Sequence, residues 1–233
     1  MNRLYVYRLV TNSGFAPCSQ DGLFSLACCK PMIRRTVGRM LIAGEANAVW
    51  LLGIGGSGLK KGEANRWLYA AKITQAVPFS EYFTDPKYQD RTDCIYRIEN
   101  LEACACGDQS LLRYAHNGKK DGDIIHHPDP NQWNRDWGVT GTGRSNECYA
   151  LLSTHFRWFS EVEAHLMMPK YPAYACNGRG HRVYEATNEF IATLDSLIAG
   201  ENGTKHERAE TDEDHSIEEG LRFRERRHAQ PHC

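Results

Sequence analysis

"AVWLLGIGGSGLKKGEANRWLYAAKIT", residues 48–74, holds two apolar runs separated by glycines. How those glycines are read decides the fold. The pattern G-x-x-x-x-G-K-[ST] is not met, because Gly58 is followed by Leu59. The dinucleotide pattern G-x-G-x-x-G is missed as well, with glycines at 53, 55, 56 and 58. No helix signal follows directly. The stretch therefore reads as a flexible connection between two buried strands, "AVWLLGI" (48–54) and "RWLYAAKIT" (66–74), with Lys60 and Lys61 at its tip.

Working outward, "RLYVYRLV" (3–10) is rich in β-branched and aromatic residues and reads as a strand. "MLIAG" (40–44) and "DCIYRI" (93–98) are taken as further strands, and "CYALLSTHFRWF" (148–159) as a strand running into a turn or a second strand. Residues 11–36 read as a long loop with one short helix. "PFSEYFTDPKYQD" (78–90) reads as irregular, and "HHPDPNQWNRDWGVTGTG" (126–143) as a loop from its Pro, Asn, Asp and Gly content. One helix is clear. In "TNEFIATLDSLIAG" the residues Phe190, Ile191, Leu194, Leu197 and Ile198 share one face, with Thr187 or Asn188 to cap the start and Gly200 to end it. The expected class is α+β: a single domain over 1–200 with a curved, mostly antiparallel sheet and a few helices. Residues 201–233 carry nine acidic and six basic residues with few large apolar ones, and read as a charged, disordered tail.

The 233 residues carry a formal net charge of -1, so affinity for phosphate must come from a local cationic cluster. Nine cysteines, no apolar signal region at the start and no run of roughly 20 apolar residues point to a cytoplasmic protein with mostly free thiols and no membrane contact. No metal is assigned. Cys104-x-Cys106 and Cys28-Cys29 lack the C-x2-C spacing of a zinc pair, although a site built from them with His126 or His127 stays open. No cofactor is indicated.

Two cationic motifs stand out. "CCKPMIRRT" (28–36) gathers Lys30, Arg34 and Arg35, and arginine's planar fork suits phosphate. "CNGRGHRVY" (176–184) sets Arg179 between Gly178 and Gly180 and follows them with His181 and Arg182. Glycines there permit close approach of backbone N–H groups to an anion. The bland alternatives are a solvated basic face and a tight turn. There is no hydrolase nucleophile elbow and no H-E-x-x-H, and the ten histidines suggest no triad.

Several segments taken together resemble the second of the nucleotide modification associated domains. They are "GFAPC" (14–18), "SLACCKPMIRR" (25–35), "YAAKITQAVPFSEYFTDPKY" (69–88), "DCIYRI", "ALLSTHFRWFS" (150–160) and "NGRGHRV" (177–183), in the family's order. The family's Gly-Asp before its second strand is altered here, where Gly38 precedes Arg39, while Asp93 and Tyr96 keep the later motif. The resemblance implies involvement with nucleotides in base modification. By fold analogy it also points to small β modules of the PUA, ASCH and EVE type.

Two functions follow as expectations. The first is a module binding nucleic acid, a nucleotide or a modified base, with base-modifying enzymes as partners. Lys30, Arg34, Arg35, Gly178, Arg179, Gly180 and Arg182 would contact phosphate, and Tyr82, Phe83 and Trp158 would stack on bases. The second is an enzyme acting on a nucleotide or base, with His181, Asp93 and Cys29 as candidates for proton transfer or nucleophilic work.

Overall fold

The computed structural model describes residues 2–60, 62–100, 102, 109–121, 124–138, 147–178 and 180–199. The expected tail at 201–233 lies outside them, as do Gly200 and Cys104, Cys106 and Cys233. The chain groups into two compact units. One comprises Met1–Ser13, Trp50–Lys72 and the described residues from His155. The other comprises Gly14–Val49 and Ile73–Thr154.

The first unit is built on a five-stranded sheet. Its strands are β1 (Arg3–Leu9), β4 (Val49–Gly55), β5 (Trp67–Ile73), β12 (Phe156–Trp158) and β13 (His181–Glu185), in the order β12-β5-β4-β1-β13. β1 runs parallel to β4 and antiparallel to β13. Period-two alternation puts Leu4, Val6, Trp50, Leu52 and Ile54 on one face. That face is covered by α5 (Glu161–Met167) and α6 (Asn188–Ala199), which contribute Ala164, Met167, Phe190, Ile191 and Leu194. α6 is the helix read from the sequence, and Thr187 Oγ1 accepts the Phe190 N–H at 3.2 Å as its cap. The glycine-rich stretch is the expected connection between neighbouring strands. A Cβ on Gly55 would sit 1.8 Å from the Glu63 carbonyl oxygen, so only glycine fits there.

The second unit holds the antiparallel sheet β2-β3-β11-β6, made of β2 (Cys18–Gln20), β3 (Leu23–Leu26), β11 (Tyr149–Ser153) and β6 (Gln75–Pro78). It also holds the two-stranded ladders β7 (Tyr96–Ile98) with β8 (Tyr114–His116) and β9 (Lys120–Asp121) with β10 (Ile124–Ile125). Four helices accompany them: α1 (Pro31–Ile42), α2 (Phe79–Tyr82), α3 (Pro86–Gln89) and α4 (Pro130–Asp136). The expected mixed class with largely antiparallel sheets is what the chain adopts, and none of the sheets among the described residues closes into a barrel.

Four local expectations need correction. "MLIAG" is the end of α1 and the turn after it, not a strand. Ile33, Val37 and Met40 are buried at helical spacing, and Pro31 stands at the first helical position, where its missing N–H costs nothing. Residues 18–26, read as loop, pair as β2 and β3. The irregular reading of 78–90 gives way to α2 and α3, each one turn long. The loop read at 126–143 contains α4. Asp129 and Gln132 form a capping box ahead of it, with Pro130 again at the first position. No helix among the described residues is long and apolar enough to cross a membrane.

Candidate functional site

β3 ends at Leu26 and α1 begins at Pro31, so Cys28 and Cys29 occupy a four-residue strand-to-helix turn. Cys29 and Lys30 both take left-handed backbone conformations, with φ of 59° and 46°. Non-glycine residues hold that region only where the surroundings over-determine it. Here Arg34 does so. It lies one turn into α1 and is 1% exposed. Its Nε donates to the Cys29 carbonyl at 2.7 Å. One terminal nitrogen donates to the Tyr149 carbonyl at 3.1 Å, and the other to the Asp136 carbonyl and Oδ1 at 3.1 and 3.0 Å. The guanidinium also sits over the Phe79 ring, 4.7 Å from its centroid.

The Cys29 sulfur faces two adjacent imidazoles. His127 Nε2 is 3.1 Å away and His126 Nε2 is 3.5 Å away. Behind His127, its Nδ1 lies 3.0 Å from Asp136 Oδ2, and the Tyr96 hydroxyl donates to the same oxygen at 2.8 Å. His127 too has a positive φ, of 57°, and its carbonyl accepts the Trp133 indole N–H at 2.6 Å. α4 delivers Asp136 at its last position. There Trp137 stacks on Tyr114 with ring centroids 4.3 Å apart and meets Phe79 edge-on. Cys29, His127 and Asp136 thus form a line of thiol, imidazole and carboxylate, an arrangement chemically able to activate a thiol.

The electrostatics agree with the geometry. The hydrogen bond from the Cys28 thiol is the largest influence holding Cys29 well below the usual thiol value; burial opposes it, and His127 and His126 pull it down further. Cys28 moves the other way, driven up by burial. Burial pulls His127 down, but the Cys29 thiolate and Asp136 outweigh it and raise it to about 10. Both shifts favour a thiolate beside an imidazolium. Cys28, Cys29 and His126 also set three donor atoms within 4.8 Å of one another, close enough to hold a soft cation, a use that would occupy the sulfur His127 faces.

The other expected site residues are dispersed. Asp93 is fully buried and accepts from Ser25 Oγ at 2.5 Å and the Tyr82 hydroxyl at 2.9 Å, with Arg91 Nε 3.5 Å away. Arg91 in turn donates to the Gln20 and Leu23 carbonyls, so this network ties β2 and β3 to the segment around Asp93. Tyr82 and Phe83 are packed inside the second unit's core. Trp158 is half-buried, its ring 5.1 Å from that of Tyr69. Lys30 and Arg35 are half-buried. Gly178 and Gly180 have the positive φ expected of them, 90° and 98°, and are exposed. Arg182 is exposed on β13, and His181 lies there with its ring 5.7 Å from that of Tyr5. Arg179 lies outside the described residues. The motif around Arg34 belongs to the second unit and the motif around Gly178 to the first.

Of the named candidates, Cys29 is the one whose surroundings are built for chemistry. Sequence reading noticed His126 and His127 only as metal donors and Tyr96 only as part of the family's later motif, and missed Asp136 altogether. The available signal was the D-P-x-Q capping box, which turns a supposed loop into a helix ending at Asp136.

Fold and site together define an α+β protein with a cysteine–histidine–aspartate line at a strand-to-helix turn. The chain belongs to the nucleotide modification associated domain 2 family, whose model matches residues 1–215. No curated protein and no solved structure matches it.

Proposed function

We propose that this protein is an enzyme of nucleotide or base modification that works by covalent catalysis at Cys29. The observation that carries the reading is the 3.1 Å approach of His127 Nε2 to the Cys29 sulfur, with Asp136 on the opposite ring nitrogen. Cys29 attacks, His127 keeps the sulfur ionised and returns a proton, and Asp136 with Tyr96 fixes the imidazole's orientation. Arg34 holds both ends by bonding the Cys29 carbonyl and the Asp136 carboxylate. With every arm of its guanidinium engaged inside the unit, Arg34 serves this geometry in preference to a phosphate. The family membership supplies the nucleotide context. Phosphate contacts from Lys30 and Arg35 belong to the same proposal as the means of holding the substrate; those from Gly178, Arg179, Gly180 and Arg182, with base stacking on Trp158, are proposed for the first unit by itself.

The test is alkylation of Cys29 by iodoacetamide across pH, followed by peptide mass spectrometry. At pH 6 the wild-type chain should label Cys29 roughly ten- to a hundredfold faster than His127→Ala, because an unassisted thiol is almost wholly protonated there. Nucleotides or oligonucleotides should slow the labelling if the site receives them. Equal, slow labelling of both proteins at pH 6 would sink the nucleophile reading.

A further inference from the structure

We propose that His126 is a second proton-transfer group of this site and that the site's electrophile is a carbonyl carbon, in an ester, thioester or amide. The inference rests on the Cys29 reading above. Its starting point is that two imidazoles converge on one sulfur but are held very differently. His127 is engaged at both nitrogens, by Cys29 and by Asp136 with Tyr96. His126 presents Nε2 to the same sulfur at 3.5 Å and has no carboxylate partner among the described residues. What holds His126 is stacking and backbone. Its ring lies parallel to Phe15, with centroids 4.7 Å apart and 6° between planes, and stacks on His127 at 4.1 Å. Its carbonyl accepts from His116 Nε2 at 2.8 Å, while His116 Nδ1 accepts the Gly118 N–H at 2.8 Å. Those two bonds define a neutral His116, consistent with burial lowering its basicity. The ring of His126 is thus fixed in plane, and its second nitrogen has no hydrogen-bond partner among the described residues.

Such a pair suits a reaction with two separate proton transfers beside one sulfur. In the first half, the thiolate adds to the carbonyl carbon and a carbon–sulfur bond forms. The bond to the leaving oxygen, sulfur or nitrogen breaks, and that atom takes the proton from His127 Nε2, whose anionic partner has just been neutralised. In the second half, water attacks the thioester and gives one proton to His126 Nε2. The carbon–sulfur bond breaks, the acid departs and the thiolate is restored. His126 releases its proton and His127 regains one, so one water is consumed and each histidine ends as it began. Acylation belongs to His127 and deacylation to His126. Substitution at an acyl carbon calls for both transfers within reach of the sulfur, and the two Nε2 atoms are placed there.

p-Nitrophenyl acetate tests this. The wild-type chain should release a burst of nitrophenolate that Cys29→Ser abolishes, followed by steady turnover. His126→Phe, which keeps the stack on Phe15 and His127, should retain the burst and lose turnover by about a hundredfold, the usual worth of a general base. Acetylated Cys29 should then accumulate by intact mass, and added imidazole should restore turnover, a rescue no structural role would show. His126→Gln serves as the second variant should the phenylalanine fold poorly. Turnover at the wild-type rate in both variants, loss of the burst itself, or failure of imidazole to rescue would each overturn the role of His126. A wild-type chain that alkylates readily at pH 6 yet forms no acetyl-Cys29 would overturn the carbonyl class while leaving the nucleophile standing. Absence of both would remove the nucleophile reading and this inference with it.

Discussion

Asp136 is the residue on which the candidate site turns. It is 3% exposed and answers three neighbours at once: Arg34, Tyr96 and His127. A buried charge pair costs much to break on one side only, because the remaining charge stays desolvated. Asp136→Asn should therefore destabilise the protein by about 3 kcal/mol, read from chemical denaturation. It should also slow low-pH alkylation of Cys29; wild-type labelling in that variant would show that Asp136 only packs. The pH dependence follows from the shifts. His127 is raised to about 10, so the stability it contributes is whole below its ordinary 6.5 and is lost as pH climbs through about 10. Cys29 is lowered, so its contribution is whole above its ordinary 9.0 and is lost as pH falls through its depressed value. The pair should stabilise most between those limits. A melting-temperature advantage over His127→Ala that persists undiminished beyond pH about 10 would contradict the coupling.

Two helices place these side chains, and each depends on one identifiable detail. α1 lies against β11 through Gly38, where a Cβ would come 2.3 Å from the Tyr149 ring and 2.8 Å from the Tyr149 Cβ. The near atoms include the root of the side chain, so a rotamer change alone cannot make room. Gly38→Ala should cost roughly 1–3 kcal/mol, the range for overpacking, and should loosen the Arg34 anchor on the Tyr149 carbonyl. A thermal melt at the wild-type value would mean that α1 shifts without cost. α4 depends on its capping box. Asp129→Ala removes the acceptor for the Asn131 N–H, 2.9 Å away, and should cost about 1 kcal/mol. Because α4 ends on Asp136, the same change should reduce Cys29 labelling at pH 6. Unchanged labelling would show that Trp137, stacked on Tyr114, holds the end of the helix unaided.

At the scale of the whole molecule, each unit has its own apolar core. One is centred on Trp50, Trp67 and Phe190, the other on Phe79, Tyr82 and Trp137. Every side chain of the Cys29 site belongs to the second. Phe190→Ala should accordingly cost about 3–5 kcal/mol through a cavity in the first core. While that variant remains folded, its Cys29 should keep wild-type alkylation at pH 6. A loss of labelling in the folded variant would show that thiol acidity is not set within the second unit alone.

What the amino-acid sequence determined is what local pattern and membership encode. Alternating and continuous apolar runs marked β1, β4, β5, β11 and β12, because a strand's side-chain period is short enough to be visible in seven residues. The stripe Phe190, Ile191, Leu194 marked α6 for the same reason at helical period. The glycines at 53–58 marked a connection, and six ordered segments marked the family that the match over residues 1–215 bears out. Elements were misread where local composition points elsewhere: α1 because its terminal "MLIAG" is an apolar run resembling a strand, and α4 through a composition that looks like loop. Tertiary structure alone decided the site. Cys29, His127 and Asp136 meet across separations of 98 residues from cysteine to imidazole and 102 from the Arg34 anchor to the carboxylate. No periodicity connects them. A nucleophile is defined by what stands 3 Å from it, and that depends on β3 turning into α1, on Gly38 letting α1 close on β11, and on Arg34 joining the Cys29 carbonyl to Asp136.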